Sequence, residues 1–267
     1  MHIDVSFNTT IKNIIFNSDD IKRYYLKIHP NTKYSLDSIL NEIFYVLKTG
    51  ISWRDLRSSI KWQSIYFHFQ RFVKFNIFKK LYLQLREPYF ANNKTDIQII
   101  DSTFIANKCG KNKIARNVFF KNKNCNKVSL LTDVNGIPLS VLVNSGNVHN
   151  NVHNNVHDNS FINAHINDIA FLNKNKKTLL LADKAYEGKN IRDNLKNNNY
   201  SLMVAKKKNA KTKYKFNKET YKKRIVIENT FQKLKIFRRI QIRYDSLVDT
   251  YFGFLFIAIS IIIFKNI

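Results

Sequence analysis

Two short apolar runs in this chain each end in an aspartate, and that pattern restricts the fold more than any other feature. The run IQII at 97–100 leads into Asp101, and TLLLA at 178–182 leads into Asp183. Short apolar runs flanked by polar sequence read as buried strands rather than helices. A carboxylate at the mouth of a buried strand costs desolvation, which something must offset. A divalent cation is one solution, since hard oxygen ligands suit Mg²⁺ or Mn²⁺. A plain cap on the following turn is the other reading for either residue alone.

The surroundings of the two runs point to a mixed sheet. Residues 127–132 and 138–143 read as strands joined by DVNG, a hairpin signal. Residues 190–196 suggest a helix, 201–205 a further strand, and 218–237 a long closing helix. The order predicts an α/β catalytic domain over 95–267. The first 90 residues lack strand patterns. Residues 35–48 place Leu36, Ile39, Leu40, Ile43, Phe44 and Leu47 on one helical stripe, with Ser35 as N-cap and Gly50 as terminator. Further helices are expected over 62–73 and over 77–85, the latter stopping before Pro88. Region 1–90, with Arg54, Arg57, Lys61, Arg71 and Lys74 expected at its surface, suits a helix-turn-helix-like DNA reader. A small helical cap on the catalytic domain remains the alternative.

Charge selects among partners. The chain has 45 Lys+Arg against 19 Asp+Glu, a formal charge of +26. An AT-rich codon bias explains why Lys outnumbers Arg, but not the shortage of acids. Nucleic acid is the expected partner, because neutralised phosphates release counterions. Residues 206–223 hold nine Lys and one acid, Glu219, a stripe suited to tracking phosphates. The longest uncharged apolar run, 251–264, falls short of the roughly 20 residues of a membrane span and reads as a buried core helix. The amino terminus lacks a basic segment leading into an apolar stretch, so no signal peptide is expected. Two cysteines, Cys109 and Cys125, form neither a disulfide framework nor a zinc motif and suit a reducing, cytoplasmic setting. In NVHNNVHNNVHD, His149, His153 and His157 recur every fourth residue, but Val and Asn disfavour the helix a metal face would need.

The third informative acid is Glu228. On one continuous helix, Tyr221, Arg224, Glu228 and Lys235 would fall within a stripe about 60° wide. Two strand-terminal aspartates and a helical glutamate in so basic a chain make an acidic cluster inside a positive field. Paired metal ions held by such carboxylates can activate a water or a DNA 3′-hydroxyl and stabilise the leaving oxygen. Arg224 and Lys235 could then hold phosphates, the arginine bidentately.

Those residues carry a resemblance. The spacing Tyr221-x2-Arg224-x3-Glu228-x6-Lys235 is similar to the Y-R-E-K signature of bacterial insertion-sequence transposases with a DDE active site. LLLADKAYEG around Asp183 resembles their second-acid block, IIDST around Asp101 the first, and TGISWRDLRSSIKWQSIYFHFQRF their preceding helical region. The resemblance runs from about residue 34 to 264. It implies a ribonuclease-H-like sheet flanked by helices, with Asp101, Asp183 and Glu228 as catalytic residues binding Mg²⁺ or Mn²⁺. It also implies DNA contacts through Tyr221, Arg224 and Lys235. Lys184, Lys222, Lys223 and Arg54 are further DNA-binding candidates. The expected partner is double-stranded DNA, both element ends and target, and pairing two ends favours a homodimer in the active complex. The chain departs from the family in its threefold VHNN unit and in its dense Asn at 122–126. A nuclease of the same fold and a catalytically silent DNA-binding relic remain alternatives.

Overall fold

The computed structural model describes residues 5–17, 34–93, 96–146, 156–170, 172, 177–205 and 216–266. Residues 147–155 of the VHNN repeat, including His149 and His153, and the lysines at 206–215 lie outside them. Two compact units interleave along the chain. One comprises 1–86, 108–112 and 234–267; the other comprises 87–107 and 113–233.

The first unit is helical: α1 (Val5–Asn17), α2 (Leu36–Thr49), α3 (Trp62–Lys74), the first turns of α4 (Ile77–Asn92), and near the carboxyl end α9 (Arg238–Gln241) and α10 (Val248–Phe264). The expected cap of α2 is present, with Ser35 Oγ accepting the Ser38 N–H at 3.1 Å. Gly50 ends the helix at φ 70°, a left-handed angle natural to glycine, with Arg238 only 3.0 Å from where a Cβ would stand. The apolar run 251–264 is the core of this unit: Tyr251, Phe254, Leu255, Ile257, Ala258 and Ile259 are wholly buried. No described helix is long and apolar enough to cross a membrane.

Helix α4 departs from expectation, running through Pro88 to Asn92. A mid-helix proline costs about 3 kcal/mol. Burial of Tyr89 and Phe90 just beyond it offsets that cost, as does the Tyr89 hydroxyl donating to Asp133 at 2.8 Å.

The second unit is built on a mixed sheet of β1 (Ile97–Asn107), β2 (Ala115–Asn117), β3 (Lys123–Asp133), β4 (Pro138–Ser145), β5 (Thr178–Ala182) and β6 (Tyr200–Val204). The order is β4–β3–β1–β5–β6, with β2 paired to the start of β3. Strands β4, β3 and β1 are antiparallel neighbours, whereas β5 and β6 run parallel to β1. One face is covered by α5 (Val156–Ile169) and α6 (Lys189–Asn197). Ile162, Ile166, Ile191 and Leu195 meet Ile100, Leu131, Leu180 and Leu202 there. Neither α5 nor β2 is legible in the sequence.

The long carboxyl-terminal helix is broken. It divides into α7 (Lys218–Lys222) and α8 (Ile225–Lys235), with a junction at Lys223 and Arg224. The junction amides bond three residues back rather than four: Lys223 to Thr220, Arg224 to Tyr221, Val226 to Lys223 and Ile227 to Arg224. That tightened turn, followed by β-branched Ile225, Val226 and Ile227, replaces the single stripe expected for 221–235.

His165 of α5 is fully buried, and its Nε2 shares a 2.9 Å hydrogen bond with Ser129 Oγ. Burial pulls its imidazole down from 6.5 to about 3. The unfolded chain therefore takes up a proton below its ordinary pKa that the folded chain does not. Stability from this group is present above that pKa and is lost as pH falls toward the folded value, by about 1.4 kcal/mol per pH unit. His165→Gln is expected to flatten that part of the acid branch. Urea unfolding of both proteins between pH about 6 and about 4 checks it.

Candidate active site

The parallel register of β1 and β5 brings the two aspartates together. Ile99 lies opposite Leu181. Asp101 and Asp183 each follow two residues later: Asp183 stands just past the carboxyl end of β5, whereas β1 continues to Asn107, so Asp101 lies inside its strand rather than at the strand end expected from the sequence. Asp183 caps the 3-10 turn Lys184–Tyr186. Glu228 stands in the first turn of α8.

All three carboxylates converge on one guanidinium. Arg224 Nη2 lies 3.2 Å from Asp101 Oδ2 and 3.2 Å from Glu228 Oε1, and its Nη1 lies 3.5 Å from Asp183 Oδ1. The acids differ in exposure: the Asp101 side chain is 19% exposed, those of Asp183 and Glu228 about half. Burial raises the Asp101 carboxyl above its usual range, and the like charges of Asp183 and Glu228 add to the rise. Arg224 and the Ser102 amide oppose it. For Arg224, burial alone would lower the pKa, but Asp101, Glu228, Tyr221 and Asp183 together raise it. Three carboxylates drawn to one cation are a hard-oxygen donor set. Among the described residues they do not already stand as a ready-made metal cage, because the arginine occupies the point they share.

Tyr221, at the end of α7, donates its hydroxyl to the Ala182 carbonyl at 3.1 Å, beside Asp183. Its ring lies 5.3 Å from that of Phe216. The turn after Asp183 has a second brace that the sequence did not reveal. Arg192 on α6 holds Glu187 with two hydrogen bonds, of 3.0 and 2.7 Å, and donates to the Leu202 carbonyl. A Glu–Arg pair five residues apart carries no motif of its own, so only the fold shows it.

Of the other predicted DNA contacts, Lys184, Lys222 and Lys223 are exposed on the second unit, with Lys222 paired to Glu219 at 2.8 Å. Arg54 and Lys235 belong to the first unit. Arg54 is exposed and lies over the Trp62 ring at 5.9 Å. Lys235 ends α8, and burial lowers its ammonium below the usual lysine range. Cys109 and Cys125 are both free thiols.

Comparison with known structures finds folds like this one. The piggyBac transposase synaptic complex with hairpin DNA superposes over 97% of this chain and 74% of that one, with a TM-score of 0.53 at 9% identity. The catalytic domain of the Mos1 mariner transposase covers 61% of this chain and 89% of its own at 10% identity, with a TM-score of 0.32. At 9% identity the piggyBac likeness bears on the fold alone, a ribonuclease-H-like sheet flanked by helices. No curated protein matches the sequence. Residues 92–263 match the family described as the transposase DDE domain, and they include all three acids. The chain belongs to the transposase DDE domain family.

Proposed function

We propose that this protein cleaves DNA at the ends of a mobile element and joins the freed 3′-hydroxyl to target DNA. The observation that carries this reading is the convergence of Asp101, Asp183 and Glu228, from three separate elements, on a single cationic group. Their donor set fits Mg²⁺ or Mn²⁺, and the carboxylates of Asp101, Asp183 and Glu228 would hold it. When bound, a pair of such ions activates the attacking oxygen and stabilises the leaving one during in-line displacement.

The chain's own groups supply the rest. Arg224 presents a planar fork that matches a phosphate as well as it matches the carboxylates, and so can exchange one for the other. Tyr221 fixes the end of β5 through the Ala182 carbonyl, which positions Asp183. Lys184, Lys222, Lys223, Lys235 and Arg54 would hold backbone phosphates, which contribute affinity without reading sequence. In the first step water attacks phosphorus and the 3′ oxygen leaves as a hydroxyl. In the second that hydroxyl attacks a target phosphodiester and displaces its 3′ oxygen. Two element ends held together would call for two copies of the chain.

The test is incubation with Mg²⁺, a duplex carrying the sequence that flanks the gene, and a supercoiled plasmid. Covalent joint products are expected. Nicks without joints would indicate a nuclease of the same fold, and neither product would indicate a DNA-binding relic.

A further inference from the structure

The hairpin formed by β2 and β3 displays an aromatic ring that the core does not use. Val118 is 75% exposed and Phe119 72% exposed, both in the 3-10 turn Val118–Phe120. Fully burying such a side chain is ordinarily favourable, so a fold that fixes one outward forgoes that gain. Here the turn is held from both sides. Asn117 Oδ1 accepts the Phe119 amide at 2.8 Å, and Asn117 Nδ2 donates to the Gly146 carbonyl at 2.5 Å. Lys121 and Asn122 both take left-handed angles, each with φ 53°. Phe120 turns back against Phe104 at 5.9 Å between ring centroids. Adjacent phenylalanines thus divide the work: Phe120 anchors the turn and Phe119 faces out.

Charge identifies what would cover it. Arg116, Lys121 and Lys123 flank the tip in the chain and are all exposed. Between Asp101 and Asp133 the sequence contains no acid at all. An exposed aromatic ring among cations, on a stretch of chain with no acid of its own, is the combination that single-stranded and opened nucleic acid engages, by base stacking and phosphate contact together. The tip also lies within reach of DNA held at the acids. Asp101 pairs with Leu130, and the tip begins where β3 does, at Lys123. That separation along the strand is about 24 Å, roughly seven base steps.

We infer that the β2–β3 tip is a DNA contact in which the Phe119 ring stacks on an unpaired or opened base while Arg116, Lys121 and Lys123 hold the flanking phosphates. The inference rests on the DNA-transposase reading above and adds to it a surface and a mode of contact.

The full-length protein should be titrated, by fluorescence anisotropy, into a labelled duplex and into the same duplex with a small unpaired bubble. Wild type is expected to prefer the bubble, and Phe119→Ala to lose about 5- to 100-fold on the bubble while keeping its affinity for the intact duplex. Phe119→Trp should retain the preference, with its added indole emission quenched on binding the bubble. Lys121→Ala should weaken both probes and lower the salt dependence. Equal binding of both probes by wild type and Phe119→Ala would overturn the inference and leave the DNA-binding reading intact. Binding of neither probe by wild type would overturn that reading as well. If Phe119→Ala instead turned a dimer into a monomer without changing either affinity, the tip would be a subunit contact, and the inference would fail.

Discussion

Asp101→Asn is expected to lower Mg²⁺-dependent cleavage of element-end DNA by at least about a thousandfold while leaving DNA affinity unchanged. Charge stabilisation by a metal held in such a site amounts to several kcal/mol, and about 4 kcal/mol corresponds to that factor. Asn keeps the shape of the side chain and removes only the charge, so the strand pairing of β1 with β3 and β5 should survive. Asp101 is the choice among the three acids because it is the most enclosed, and solvent cannot readily substitute for its oxygen. Gel quantification of nicked product together with anisotropy on the same DNA checks both halves. Cleavage within tenfold of wild type would remove Asp101 from the site.

Asp245→Ala is expected to cost about 3–5 kcal/mol of stability, the range for breaking one partner out of a buried ion pair. In the helical unit Arg239 meets Asp245 with two hydrogen bonds, of 3.0 and 3.3 Å, and the two side chains are 5% and 2% exposed. Arg239 also lies 5.4 Å from the Phe254 ring centroid, among the apolar residues of α10. Burial pushes the Asp245 carboxyl upward, against the pull of Arg239 and Arg243. The pair is therefore costly to assemble and costlier to break. Truncating the aspartate leaves a buried guanidinium without its countercharge. Arg243 worsens the imbalance, being a second buried cation near the lost carboxylate, with its own donors held by the Asp245 and Ser246 carbonyls and by Asn112. Urea denaturation gives the difference directly, and a change below about 1 kcal/mol would show the pair to be dispensable.

Two of the acids were legible because each follows a short apolar run, and Glu228 because of its spacing to Tyr221, Arg224 and Lys235. Asp101 and Asp183 follow runs that can only be buried strands, and the parallel pairing of those strands then fixes their proximity. The α2 cap and the β3–β4 hairpin were legible for a related reason, since Ser35, Gly50 and the DVNG turn are local signals. What local signals miss is what tertiary contacts decide. Pro88 marks a helix end by its own chemistry, yet Tyr89 and Phe90 carry α4 past it. The break at Lys223 and Arg224 could not be seen from periodicity, because 218–237 carries a helical pattern throughout and only the three-back hydrogen bonds of the folded chain mark the junction. The acid cluster and the family resemblance put Arg224 among the phosphate contacts; its guanidinium is here engaged with the acids themselves. Helix α5 escaped notice because its Asn-rich sequence has weak propensity, and its stability comes from Phe161, Ile162, Ile166 and Ile169 against the sheet.

The central claim is that Asp101, Asp183 and Glu228 form one metal-dependent centre acting on DNA ends. The most direct test runs the end-cleavage and joining reaction with wild type beside Glu228→Ala, with Mg²⁺ and with the metal chelated. Nicks confined to the flanking ends and covalent joints are expected from wild type with Mg²⁺ alone. Neither product is expected from Glu228→Ala, which should still bind the DNA. Equal products from both proteins, or equal products with and without metal, would contradict the claim.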